Sequence, residues 1–323
     1  MRLNILQNQS NFMYNKIKIF LIALLFGTSL TVAAQGKKEE KKEEKKEEVK
    51  SYFKIDGSYL SNSVYLGRKD SATLPYLTPT LGYYDKSGFY ISGSMSYSTS
   101  DKRIDYTSLD AGYDFTINSK LSGSISANKS FYNDNSNNVS SDIGAGLSAG
   151  LTYDFNILSL RAGASLSFAS KTDVGINVSA DHGFYFGEDD KQWSITPTVT
   201  VNLNTLNFYE GYTNNANGKK QMKKDPLVTS VSSTTVITNK SANQLTLMDY
   251  EISIPVSYDT KKWGIYFTPT LAIPQNPIYT KTTSVIKLRN GNTVTPPAYD
   301  STPDSEKKLS STFYAEVGIY FKF

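Results

Sequence analysis

Residues 89–97 read Phe89-Tyr90-Ile91-Ser92-Gly93-Ser94-Met95-Ser96-Tyr97. Successive side chains of a strand point to opposite faces, so this run has one face of Phe, Ile, Gly, Met and Tyr and another that is mostly serine. Leu121-Ser122-Gly123-Ser124-Ile125-Ser126-Ala127 repeats the pattern, as does Leu158 through Phe168. From Phe53 onward the period stays near two almost to the last residue. Past the N-terminal region no run of 18 apolar residues occurs, which excludes helical membrane spans.

Polar turns punctuate the alternation. Asp85-Lys86-Ser87-Gly88, Asn118-Ser119-Lys120, Asn156-Ile157, Gly187 to Gln192 and Asp259 to Lys262 are short, and each is approached or left by an aromatic residue. The connections between them are more variable, and two are long, roughly 207–244 and 275–309. Taken in order, the segments predict twelve strands: 52–66, 74–85, 88–99, 104–117, 121–132, 143–155, 158–170, 173–187, 193–205, 245–258, 263–274 and 311–323. All five short turns then follow even-numbered strands, and both long connections follow odd ones. An even strand number with short turns on one side and longer loops on the other is the layout of a transmembrane antiparallel β-barrel. A secreted soluble sandwich also alternates, but it leaves the aromatic clustering at the turns unexplained. Trp193 and Trp263 both begin strands just after a short turn, where an interfacial aromatic girdle belongs.

The N-terminus fits export. Lys16 and Lys18 precede the apolar run Ile19 to Phe26, and small residues follow to Ala34. This predicts a signal peptide over 1–34, because the apolar run is too short for a membrane anchor. Residues 35–50 repeat Lys-Lys-Glu-Glu and offer no apolar face, so they predict a solvated periplasmic tether. The chain of 323 residues carries a net charge of +4 and no cysteine. Disulfides, thiolate metal sites and a lipid-anchor cysteine are thereby excluded, and no basic face points to nucleic acid.

The stretch LTPTLGYYDKSGFYISGSMSYS, the recurrent Thr-Pro-Thr and the ending AEVGIYFKF resemble the outer-membrane β-barrel proteins of Bacteroidota, a porin-like group. The resemblance covers most of the chain after residue 50. It implies insertion in the outer membrane among lipid and lipopolysaccharide, and recognition by the barrel-assembly machinery through the last strand ending at Phe323. It names no solute, since function is not inherited from fold alone.

Alternation sorts the side chains of the expected barrel. Inward positions of strands 3, 5, 6 and 7 are nearly all Ser, Gly, Thr or Asn, which leaves space at the axis. Asp56, Asp110, Asp181, Asp249, Glu251 and Glu316 point inward with Arg161, as do Asp114, Asp154 and Asp259 near the turns and Lys54 and Lys322. This acidic excess suits a weakly cation-preferring channel, while acids near turns also serve simply to bind backbone amides. Arg161 reads as an ion-pair centre. His182, the only histidine, falls on the lipid face near a short turn, and no nucleophile shares its reach. No calcium-loop spacing occurs. No catalytic residue, metal or cofactor is therefore expected. Lys219, Lys220, Lys223 and Lys224 suggest a solvated loop or a lipopolysaccharide contact. The long loops, with Asn290-Gly291 as a hairpin turn, are able to extend the barrel or to fold into its mouth.

Pro79, Pro197 and Pro269 sit mid-strand in Thr-Pro-Thr contexts, on the outward face. Proline has no N–H for the ladder, so each is expected to mark a bulge or a broken ladder, with threonine hydroxyls serving the carbonyl left over. The function expected is a passive channel for small polar solutes. The alternative is a non-conducting structural or interaction subunit of an outer-membrane assembly.

Overall fold

The computed structural model describes residues 50–69, 73–188, 190–210 and 228–323. The signal peptide, nearly all of the tether and the lysine run at 219–224 lie outside the described residues. Along the chain run β1 (Tyr52–Leu60), β2 (Tyr76–Tyr84), β3 (Phe89–Ser98), β4 (Arg103–Thr116), β5 (Leu121–Tyr132), β6 (Ala145–Asp154), β7 (Ser159–Phe168) and β8 (Thr172–Asp181). They are followed by β9 (Phe184–Glu188), β10 (Lys191–Ile195), β11 (Thr198–Asn204), β12 (Val228–Ile237), β13 (Thr246–Ser253), β14 (Val256–Thr260) and β15 (Trp263–Pro274). The chain ends with β16 (Thr280–Leu288), β17 (Thr293–Val294), β18 (Tyr299–Asp300), the helical turn α1 (Asp304–Lys307) and β19 (Thr312–Lys322).

Every barrel neighbour is antiparallel, in the order β1 to β8, then β11, β13, β15 and β19, which returns to β1. β9, β10 and β14 continue β8, β11 and β13 towards the short turns, so the wall has twelve staves. The seam is closed by β1 against β19, from Lys54↔Lys322 to Leu60↔Glu316. Phe53 and Phe323 exchange backbone bonds of 3.1 and 2.9 Å at its end. Closure leaves no sheet edge facing lipid.

Burial decides between barrel and sandwich. Along β1 the apolar residues Phe53, Ile55 and Tyr59 are exposed, while Lys54, Asp56 and Ser58 are the more covered set. The same inversion holds for Leu77 and Leu81 in β2, Ile91 and Met95 in β3, and Val174, Ile176 and Val178 in β8. A sandwich would bury this face. An apolar belt running round a closed wall is instead matched to hydrocarbon. At the short-turn end the belt becomes aromatic: Trp193 lies 4.9 Å from Tyr258 between ring centroids, and Tyr258 lies 5.6 Å from Trp263. Phe53 and Tyr83 pair similarly at 5.1 Å.

The prolines open the ladder without shifting its register. β2 runs unbroken against β1 through Gly57↔Pro79, yet its pairing with β3 is missing between Leu77↔Tyr97 and Thr80↔Ser94. Thr78 Oγ1 and Ser96 Oγ span that gap at 2.9 Å. Three further breaks lie side by side in staves 8 to 11. There His182 N–H donates to Pro197 O, Thr196 N–H to Pro255 O, and Ile254 N–H to Pro269 O, at 3.3, 2.9 and 3.1 Å. Each pair keeps one bond, because the proline cannot return the other. Thr198 Oγ1 donates at 3.0 Å to the Thr196 carbonyl that Pro255 leaves without a partner. Pro255, which shares no Thr-Pro-Thr context, thus belongs to the same series. A bulge at Ser96/Tyr97 in the β3–β4 pair lies beside the Pro79 gap, and another at Asn202/Leu203 in the β11–β13 pair lies away from the prolines.

The first strand is shorter than expected. It stops at Leu60, and the described residues between it and β2, 61–69 and 73–75, belong to a loop, L1, whose Tyr65–Arg68 turn holds Leu66 and Gly67 at positive φ. The two long connections also pair with each other: β12 runs along the whole of β16, and β16 turns through Asn290-Gly291 into β17. The Asn-Gly hairpin is as expected, with Gly291 at φ +85°.

Candidate functional site: the lumen and its cap

The staves place the carboxylates inside, and the side chains around them differ from one to the next. Asp56 receives Lys54 Nζ at 3.4 Å and the Tyr266 hydroxyl at 3.2 Å. Asp110 accepts Ser108 Oγ at 2.9 Å. Asp181, buried, meets Arg161 Nη2 at 3.1 Å, and the Arg161 side chain is otherwise half open to the lumen. The ion-pair reading of Arg161 is the geometry found. Glu251 accepts the Tyr314 hydroxyl at 3.3 Å. Asp259 accepts the hydroxyls of Ser257 and Tyr320. Asp154 accepts the Asn156 amide at 2.6 Å, serving its turn. Among the described residues, Glu316 has neither an ion pair nor a hydrogen bond. The acids therefore do not form one site; they are spread over β1, β4, β6, β8, β13, β14 and β19.

Asp249 departs from the expectation of a lumen-lining group. It faces inward but is fully buried, with Asn202 Nδ2 on one oxygen at 2.8 Å and no partner on the other. What covers it is L1: a Cβ at Gly67 would stand 2.8 Å from Asp249 Cβ and 3.1 Å from Pro274 Cα.

L1 crosses the mouth at the long-loop end. It leaves from β1, and its Tyr65 ring packs edge-on against Phe208 at 5.1 Å. Burial raises the Tyr65 hydroxyl above its ordinary pKa. Leu206, Phe208, Met248, Ile278 and Val139 form an apolar cluster with Tyr65 and Leu66 at its margin. The bulge beside Met248 allows both it and Asp249 to be buried.

Arg68 fastens the arrangement. Its guanidinium donates to Glu306 Oε1 at 3.0 Å, to the Leu66 and Met248 carbonyls at 3.0 and 2.9 Å, and to those of Gln275 and Asn276 at 2.9 and 3.2 Å. The second Glu306 oxygen takes the Ile278 amide at 2.8 Å. A buried ion pair survives desolvation only with its remaining donors and acceptors matched, as they are here. On the opposite side Asp105, also buried, takes the Tyr76 hydroxyl at 2.6 Å, Ser136 Oγ at 2.8 Å and Arg103 at 3.3 Å. Asp173 accepts the Asn207 and Phe208 amides at 2.8 and 2.7 Å. The long-loop end is thus capped by packed loops.

Towards the short turns the lumen has two kinds of wall. Across β5 to β8 it is lined by small groups such as Ser124, Gly150, Ser165 and Gly163, as expected. Across β15, β19, β1, β2 and β3 it is aromatic. Tyr52 and Tyr84 stack at 5.1 Å, and Tyr84 and Tyr90 at 5.7 Å. Tyr90, Tyr266 and Tyr320 lie over Gly112, Gly318 and Gly264, their direct partners across the ladder. The same alternation that places the acids inward places these tyrosines inward. Their contacts, like the Arg68–Glu306 pair, join residues too far apart in sequence for alternation to reveal.

His182 lies on the outer face, its ring edge-on to Phe184 at 4.5 Å, away from the lumenal acids. No group of three or more metal-ligating side chains occurs among the described residues.

Among solved structures, the chain is similar to outer-membrane porins. The KdgM porin matches over 84% of this chain and 99% of its own, at 12% identity and a TM-score of 0.38. The same porin in complex with disordered oligogalacturonate gives 12% identity and a TM-score of 0.41 over the same shares. Salmonella typhi OmpF in complex with daunomycin matches over 84% of this chain and 97% of its own, at 9% identity and a TM-score of 0.27. No protein-family model matches the chain, and no curated protein does.

Proposed function

We propose that this protein is an outer-membrane channel through which small polar solutes pass passively, with a preference for cations. The observation that carries the reading is a closed barrel, apolar outside, whose lumen is lined by small polar groups and by more carboxylates than lysines and arginines. Acidic linings favour cations in a narrow aqueous path. Solutes pass along the lumen and meet their constriction at the L1 cap. The barrel-assembly machinery reads the last strand, whose terminal Phe323 ring is exposed. Membrane lipid and lipopolysaccharide surround the belt. No catalysis is proposed, since the one histidine faces lipid. The Bacteroidota likeness rests on sequence motifs alone.

The packed cap favours a second reading, a non-conducting subunit that docks through its loop sheet. Conductance of the full-length protein in planar bilayers separates the two. Discrete openings with a reversal potential on the cation side in a potassium chloride gradient are expected. Silent bilayers, with the barrel shown to be inserted, would overturn the channel reading in favour of the second.

A further inference from the structure

Two successive rungs of the β15–β19 pair are built alike. In the first, the Tyr320 ring lies over Gly264 and its hydroxyl bonds the Asp259 carboxylate. In the next, the Tyr266 ring lies over Gly318 and its hydroxyl bonds Asp56 at 3.2 Å. The rungs differ in what sits on the ring. Tyr320 carries two of the protein's own ammonium groups, Lys54 Nζ at 4.5 Å and Lys322 Nζ at 5.0 Å from the ring centroid. Among the described residues, no lysine or arginine lies over Tyr266.

The charges show the same vacancy in the pattern. Tyr266 lines a recess of about 280 Å³ together with Lys54, Asp56, Ser58, Thr78, Thr80 and Glu316. Lys54 is matched to Asp56 at 3.4 Å. Glu316, one rung beyond Gly318, is left without a partner and gives the recess one uncompensated negative charge. An aromatic face attracts a cation through its quadrupole, and more strongly where water is partly excluded.

We propose that the recess over Tyr266, closed on one side by Glu316, binds a small organic ammonium ion carrying a single positive charge. The bound cation takes the place over Tyr266 that Lys54 and Lys322 take over Tyr320. Its charge meets Glu316, and the hydroxyls of Ser58, Thr78 and Thr80 line the remaining wall. This inference rests on the channel reading for its route of access and names the class of solute that lingers in the lumen.

The test is a titration of the full-length protein in detergent micelles with tetramethylammonium chloride, at ionic strength held constant with sodium chloride, followed by the methyl resonance of the cation. Saturable binding is expected in the wild type, weakened at least about fivefold in Glu316→Gln and lost in Tyr266→Leu. Lys54→Gln, which frees Asp56, is expected to tighten it. No saturable binding by the wild type, or a Glu316→Gln curve matching it, overturns the proposal. Should Tyr266→Leu not assemble, the wild type titrated with tert-butanol decides: the uncharged analogue must fail to bind, and equal binding overturns the site. A barrel that conducts without binding tetramethylammonium sinks only the site. One that binds it but never conducts sinks only the channel.

Discussion

At the scale of single residues, glycine in this wall means room for a neighbour's side chain. On β6 and β7 the neighbours are amides: Asn128 lies over Gly146 and Asn177 over Gly163. On β4, β15 and β19 the room over Gly112, Gly264 and Gly318 is taken by tyrosines lying across the ladder. A Cβ at residue 318 would stand 2.4 Å from the Tyr266 ring, whereas one at Gly57, on the lipid face, meets nothing within 4 Å. Gly318→Val therefore has to lift the ring and break its bond to Asp56. Unfolding of the barrel by urea in lipid vesicles is expected to show a loss of roughly 1–3 kcal/mol, the range for overpacking. Gly57→Val adds apolar surface to the belt and is expected to show no loss. Equal effects at the two sites would mean that the ring contact is not what holds the glycine.

At the scale of elements, the staves were legible because one face must meet lipid and the other water, and that demand writes itself into every second residue. All twelve are present in the expected order. The breaks were legible where Thr-Pro-Thr advertised them and not at Ile254-Pro255, where nothing distinguishes a lumenal proline in an otherwise regular run. Residues 61–66 read as strand because Ser61 to Leu66 holds no strong turn residue except Asn62; the departure of L1 is set by Arg68, a residue that alternation cannot pair with Glu306. The candidate site was legible to the same depth. Parity put Asp56, Glu251 and Glu316 inside, but the hydroxyl partners of Asp56 and Glu251 come from other staves. The breaks also make a test. Thr198→Val removes the donor to the Thr196 carbonyl, and a lost bond of this kind costs about 1 kcal/mol. Pro255→Ala returns an N–H to that same carbonyl. The double variant is expected to recover most of the loss in a double-mutant cycle, and strict additivity would show that the two donors do not serve one acceptor.

At the scale of the whole molecule, the wall and the cap are held by different forces. The wall rests on a continuous ladder in hydrocarbon, where unmet backbone groups are costly. The cap rests on one apolar cluster and on Arg68. Removing one partner of a buried ion pair costs about 3–5 kcal/mol, because the other charge is stranded. Arg68→Ala is therefore expected to loosen residues 61–69 and 275–311 while leaving the barrel assembled. Limited proteolysis should cut these loops, heat-modifiable migration on gels should be unchanged, and unit conductance should rise. A variant with loops as resistant as the wild type would show that the apolar cluster suffices. The three side-by-side breaks, at His182-Gly183, Thr196-Pro197 and Ile254-Pro255, carry a mechanical consequence. With only one bond per pair at that height, β9, β10 and β14 form a panel hinged along a line parallel to the membrane. The barrel is least stiff there, so that its cross-section yields to lateral pressure from the bilayer on that side first, while the seam side keeps its shape.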